Sequence, residues 1–387
     1  MTTLNRTEPG LLSEIRRCGT FDAAGCFNCG SCTVVCDLTF PTAPFPRRTM
    51  QYALLGLKGK LRESLEPWLC HDCGDCSTTC PRGAEPRESM MTLRRWLSAQ
   101  YDWTGLSAKI YRSKAWEIGA LAFAAALFLA LVVYYHVWEV GLPLTDFAQT
   151  PMGLEHMFGI ITTFTRVVFL LPLILLLTFA LRMYFFTRKT ADARKIPFRF
   201  YLSQAKYFVS QLFLQRRMEE CPQEINKKRW TMHFILIASI FLMVFIKFFF
   251  LSWFQTDTVH PFYHPQRWLG YLAAAGLLYA SGGIFWGRIR KKEEMYKFSE
   301  FSDWTFPTLL LLTALTGLGV HITRLSGLEL AAHYAYAAHL MVVVAMVLVE
   351  LPFGRWSHMI YRPLALFFQA VRDEALKAEK TVEEKAA

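Results

Sequence analysis

The chain has 387 residues, 53% of them hydrophobic and 15% aromatic, more apolar matter than one soluble core uses, which argues against a wholly soluble globular protein. A formal charge of +11 would suit nucleic acid, but Lys and Arg flank apolar runs instead of forming one basic face. That pattern favours a membrane surface and no nucleic-acid partner.

The N-terminal stretch "MTTLNRTEPGLLSEIRRCGT" is polar and has no apolar leader segment, so the thiols that follow are expected on the reducing, cytoplasmic side. Eight of the ten cysteines form two matching quartets, Cys26, Cys29, Cys32, Cys36 and Cys70, Cys73, Cys76, Cys80. Each has the spacing C-x2-C-x2-C-x3-C. Tetrahedral zinc asks for two separated ligand pairs, whereas three cysteines spaced by two residues wrap three corners of an iron–sulfur cubane and send the fourth to another cluster. The spacing therefore assigns Cys26, Cys29, Cys32 and Cys80 to a first 4Fe-4S cluster, and Cys70, Cys73, Cys76 and Cys36 to a second. Pro81 behind Cys80 completes the bacterial pattern. Cys18 and Cys221 stand outside the quartets. "PRGAEPRESMMTLRRWLSAQ", just after the second quartet, reads as a short amphipathic helix.

Six apolar stretches follow, near 117–138, 157–183, 230–254, 268–288, 306–325 and 333–353, each close to the roughly 20 residues a helix needs to cross a bilayer. Loops after the second, fourth and sixth stretches are basic, while "GLPLTDFAQTPMGLE" and "QTDTVHPFYHPQ" contain no Lys or Arg. Both termini are thus expected in the cytoplasm, with the protein in the inner membrane. The loop from Phe198 to Trp230 alternates aromatic and basic residues and suits an interfacial helix. The tail from about Arg372 is charged and reads as a frayed helix. Residues 1–105 form the expected iron–sulfur domain, 106–366 the membrane domain and 367–387 the tail.

Clusters on a helix bundle call for redox partners within the lipid, and imidazole is the usual axial ligand of a membrane b haem. His233 and His358 stand at matching depths on the cytoplasmic side and are expected to share one haem. His339 precedes His358 by nineteen residues, about 28 Å of straight helix, which places it at an outer haem. The two side chains would differ by about 100° around an ideal helix, so Pro352 and Gly354 are expected to bend the span. For the outer haem's second ligand His321 is the first choice, with Gly317 and Gly319 leaving room for a porphyrin; His156, His333 and Met243 are rivals. Lys247, inside an apolar span, is a candidate quinone contact, and Glu350 is a second intramembrane charge. The class expected is mainly α: a two-cluster ferredoxin-like domain followed by a six-helix transmembrane cytochrome b bundle.

"EPWLCHDCGDCSTTCPRGAEPRESMMTLRR" resembles the iron–sulfur C subunit of heterodisulfide reductases. "LQRRMEECPQEINKKRWTMHF" and "LPFGRWSHMIYRPLALF" resemble the membrane cytochrome b of those enzymes and the gamma subunit of respiratory nitrate reductase. In this order the two modules are similar to the membrane subunit of the quinone-interacting oxidoreductases of sulfate reducers. That resemblance implies two b haems and two 4Fe-4S clusters joining menaquinone to two heterodisulfide reductase A-like flavoprotein subunits, and onward to adenylylsulfate reductase. It also implies His233 and His358 as the inner haem pair and His339 as an outer ligand. Where the nitrate reductase cytochrome has a second outer histidine, this chain has Met243. The alternatives are the membrane subunit of a heterodisulfide or sulfite-pathway reductase, or a transporter or anchor carrying a cluster-based redox sensor.

Overall fold

A computed structural model describes residues 6–39, 44–149, 154–188, 196–218, 224–250, 253 and 259–386. Cys221 lies outside these residues, and nothing is described of the His156 side chain. The described residues are helical and contain no strand.

Short helices build the N-terminal part: α1 (Leu11–Arg16), α2 (Ser31–Val34), α3 (Arg47–Leu54), α4 (Lys58–Glu63), α5 (Glu66–Leu69) and α6 (Asp75–Thr78), then the longer α7 (Pro86–Tyr101) and α8 (Leu106–Arg112). The two quartets repeat in backbone as well as sequence. Asn28 and Asp72 both take left-handed φ values, 58° and 61°, and Gly30 and Gly74 do so again at 89° and 98°. These reversals curl each cysteine loop back on itself before α2 and α6 begin.

Helix α7 is not amphipathic in the folded chain, because it is buried on nearly every side. Its polar residues are held by ion pairs instead of water: Arg87 with Asp72, Glu88 with Arg95, and Arg95 also with Asp303 in the membrane part. Its apolar residues join one core that crosses the boundary, in which Trp96 and Tyr101 pack with Leu176, Phe179 and Met183 from the second apolar helix and Tyr361 from the C-terminal helix. Trp68 and Tyr101 each lie 5.3 Å, ring centre to ring centre, from Tyr361, contacts worth about 0.5–1.5 kcal/mol apiece beyond area burial.

Among the described residues, six helices are long and apolar enough to cross a membrane: Lys114–Glu139, Arg166–Thr187, Lys227–Phe249, Pro265–Arg290, Phe301–Leu325 and Glu329–Phe353. The second is the end of a longer helix, Leu154–Thr187. The iron–sulfur end of the bundle gathers the basic connections. Arg229 reaches Asp72, the segment at Glu294 and Met295 accepts from Arg87, and Arg372 donates to the Thr187 carbonyl. The loop after the second span forms two helices, Phe198–Ser203 and Ala205–Phe213, broken at Gln204. They expose Phe198, Leu202, Val209 and Phe213, an apolar side consistent with an interfacial position.

The last span departs most from a straight helix. It passes through a π-turn at Met346–Glu350, ends at Gly354 in extended backbone, makes a short 3-10 turn at Arg355–Ser357 and restarts as the helix His358–Ala386. The bend expected at Pro352 and Gly354 is there, with a π-turn added ahead of it. No break separates residue 366 from 367. The tail carries that helix on, held by Arg372 and by Glu374, which accepts from Ser203 and Gln204.

Candidate functional site

The cysteines come together across the two quartets. Cys32 lies within electrostatic reach of Cys26, Cys29 and Cys80. Cys36 lies within reach of Cys70 and Cys73, and Cys76 within reach of those three and of Cys32. Backbone N–H groups of Asp72 and Ala84 donate to Cys70 Sγ and Cys80 Sγ, each at 3.4 Å, contacts that temper the charge of a ligating sulfur. Burial, and then the neighbouring sulfurs, push the Cys36 thiol up to about 12 and drive Cys76 higher still. Thiols crowded in this way ionise only when a cationic centre sits among them. The donor set therefore fits a metal cluster, although among the described residues no group of three or more His, Cys, Asp or Glu closes around a single ion.

His233 and His358 face one another with ring centres 6.3 Å apart and planes at 58°. A ring bound through Nε2 has its centre roughly 3.1 Å from the metal, so two axial imidazoles on one iron stand about 6.2 Å apart. The two histidines are thus spaced for one haem between them. His358 Nδ1 donates to the Arg355 carbonyl at 2.5 Å, which leaves Nε2 free to ligate. Arg217 and Arg362 line a small cavity beside His358 with Gln211 and Gln215. Burial, then Arg94, pushes Arg362 down to about 10, and its Nε and one terminal nitrogen have no hydrogen-bond partner. A buried cation in that state fits a carboxylate, such as a haem propionate.

His71 joins the two centres. It lies between Cys70 and Cys73, and burial, then Arg362, Arg217, Arg94 and Arg229, holds it down to about 3. Two of those arginines border the His358 cavity. The second cysteine set and the histidine pair therefore share one basic wall. The paired left-handed residues and this arginine wall escaped sequence reading; the first could have been found by aligning "CFNCGSC" with "CHDCGDC".

His321 and His339, expected from the sequence as the outer pair, each take a hydroxyl partner. His321 Nε2 is hydrogen-bonded to the Tyr271 hydroxyl at 2.8 Å, and His339 Nδ1 to the Thr316 hydroxyl at 2.9 Å. The His339 ring packs on Gly317, where a Cβ would lie 3.3 Å from it. His321 sits one helical turn beyond Gly317, where Tyr271 of the fourth span reaches it. Gly317 makes room for an imidazole, and only Gly319 has open space beside it. Lys247 is within electrostatic reach of His339. His264 caps the fourth span through Gln266 N–H and stacks on His260 at 4.0 Å.

With the geometry established, the chain can be compared with known proteins. Residues 22–84 match the 4Fe-4S dicluster domain family. The N-terminal part is an iron–sulfur module. It is 30% identical over 101 residues to a protein of Archaeoglobus profundus that is like the C subunit of heterodisulfide reductase, covering 26% of this chain and 53% of the relative. It is 38% identical over 69 residues to the second iron–sulfur C subunit of the CoB–CoM heterodisulfide reductase of Methanocaldococcus jannaschii, covering 18% and 37%. The chain thus spans about half the length of the first curated relatives it matches. A longer likeness, 27% over 328 residues, covers 78% of the chain and 81% of citrate utilization protein B of Escherichia coli. No solved structure matches. The N-terminal part is thus similar to iron–sulfur C subunits of heterodisulfide reductases.

Proposed function

We propose that the chain is the membrane subunit of a quinone-linked electron-transfer complex, exchanging electrons between menaquinone and soluble flavoprotein subunits. The observation that carries this reading is the His233–His358 pair, set at axial-ligand spacing against the same arginines that surround His71 of the second cluster loop. When bound, b haems and 4Fe-4S clusters supply one-electron steps between a two-electron quinol and a flavin. The chain's own residues hold and tune them.

His233 and His358 ligate the inner haem, Arg355 orients His358, and Arg217 with Arg362 receives the carboxylates. Cys26, Cys29, Cys32 and Cys80 hold one cluster; Cys70, Cys73, Cys76 and Cys36 hold the other. His339 ligates a second haem further from the iron–sulfur domain, and Lys247 near it donates to a quinone oxygen. The iron–sulfur domain faces the cytoplasm, as the basic loops gathered around it suggest. Two heterodisulfide reductase A-like flavoproteins are the soluble partners, with adenylylsulfate reductase onward, the arrangement in the quinone-interacting oxidoreductases that the chain resembles.

A second reading draws on the likeness to citrate utilization protein B, which extends over both modules. In it the same electron path serves a partner that acts on a citrate-type carboxylic acid. Purifying the intact complex tests both readings. Dithionite-reducible haem α-bands, and loss of the inner haem's band in His358→Ala with the clusters retained, are the expected results. A colourless membrane subunit overturns both, and the copurifying flavoprotein's substrate separates them.

A further inference from the structure

Two carboxylic acids lie buried at the iron–sulfur end of the bundle and take no part in ligation. Glu350, in the π-turn of the last span, is fully buried. Its Oε2 accepts the Arg355 N–H at 2.9 Å, and its Oε1 has no partner. Gly354 lets this happen: a Cβ there would fall 2.2 Å from Oε2, so only glycine allows the carboxylate to lie against the turn. The Arg355 carbonyl in turn accepts from His358 Nδ1. One residue's backbone therefore links Glu350 to the candidate haem ligand.

Glu117, in the first turn of the first span, is 1% exposed, and its Oε1 likewise has no partner. It lies within electrostatic reach of Glu350. It also lines a cleft of about 520 Å³ between the N-terminal domain and the starts of the first and fifth spans, together with Arg16, Thr20, Tyr111, Lys114 and Glu300. The groups facing the pair are few. Tyr111 comes from α8, Asp303 and Thr305 from the fifth span, and Arg355 from the turn. The Arg355 guanidinium pairs with Asp303, which also holds Arg95, so the nearest cation is already shared. Each carboxyl group is buried and keeps one oxygen without a hydrogen-bond partner, so each has a place for a proton.

We propose that Glu350 and Glu117 are a proton-holding pair that takes up a proton from the cleft when an electron reaches the inner haem site. The inference rests on the inner-haem reading above. Quinol is the electron donor. Were a haem held between His233 and His358, its one-electron reduction by quinol would be balanced by one proton, which Glu117 passes from water in the cleft to Glu350 Oε1 while Oε2 keeps its bond to Arg355 N–H. The charge added to a low-dielectric site is thereby balanced within a few residues. On reoxidation the proton would return from Glu350 to the cleft by way of Glu117. Glu350 is a positioning residue as well, since it holds the N–H of Arg355, the residue whose carbonyl orients His358.

The test is a redox titration of the inner haem α-band in the intact complex over a series of pH values, in wild type and in Glu350→Gln. The wild-type midpoint is expected to fall as pH rises by up to about 59 mV per unit, tenfold in proton affinity for one electron. The slope is expected to flatten in Glu350→Gln, which keeps an oxygen for Arg355. A pH-independent wild-type midpoint, or an unchanged slope in the variant, overturns the proposal. Should Glu350→Gln lose the inner haem, Glu117→Gln replaces it, and a wild-type slope there also overturns the proposal. A wild-type protein with no α-band removes the haem reading itself, an outcome distinct from a haem whose potential ignores pH.

Discussion

Arg95 of the N-terminal domain donates to Asp303 of the fifth span at 2.7 Å, with both residues almost wholly buried. Asp303 also pairs with Arg355, three residues before His358, so the contact that docks the iron–sulfur domain is part of the network that shapes the turn before His358. Removing one member of a buried pair strands the others. Asp303→Ala is expected to lower stability by about 3–5 kcal/mol, read as a lower thermal midpoint of the intact complex and as faster proteolysis between α8 and the first span. A change within about 1 kcal/mol, the range of exposed pairs, would show that Arg95 and Arg355 find other partners.

The crossed cysteine sets predict which substitutions behave alike. The holoprotein should contain about eight non-haem irons, four per cluster. Cys36→Ser and Cys76→Ser should each remove the same cluster, and Cys80→Ser the other, with iron counts falling by about half in all three. Electron paramagnetic resonance of the reduced protein distinguishes the survivors. If Cys36→Ser silences the same signal as Cys26→Ser, the crossing is wrong.

His321 and His339 should part company on substitution. His321 is bonded to Tyr271, so His321→Ala should leave the haem content of the purified protein unchanged. His339→Ala should lose one haem of two, measured as the pyridine haemochrome. Equal losses in both variants would mean that the Tyr271 bond yields to a haem.

Gly74 and Gly30 occupy matching left-handed positions but have different neighbours. A Cβ at Gly74 would fall 2.6 Å from Glu294 Cβ, whereas at Gly30 it would meet the end of the flexible Arg47 side chain at 3.0 Å. Both alanine variants carry backbone strain of about 1–3 kcal/mol, and Gly74→Ala should add a clash that pushes the loop before the fifth span away. Cluster loading and thermal midpoint should therefore drop further in Gly74→Ala than in Gly30→Ala. The reverse order would be incompatible with this packing.

The sequence was most informative where the signal is local. The cysteine spacings, the six apolar runs and the His233–His358 depth match each rest on a few residues or on a simple length rule, and the described residues contain six apolar helices close to the expected ranges. It was least informative where side chains from distant segments compete. Nothing near His321 announces Tyr271, fifty residues earlier in the chain. The pattern of α7 suggests a wet face, because Arg87, Glu88 and Arg95 look solvated until Asp72 and Asp303 are brought against them.

By itself, the sequence determined that this protein joins a cysteine-rich module to a lipid-embedded helical bundle, since hydrophobic length and ligand spacing act over one or two helical turns. Only the tertiary structure decided which imidazoles meet, how the second cysteine loop shares an arginine wall with one pair of them, and that Glu350 lies dry behind His358. Those outcomes depend on a π-turn, a glycine break and ion pairs spanning some two hundred residues. Interactions of that reach are set by how helices pack together, and local chemistry does not encode them.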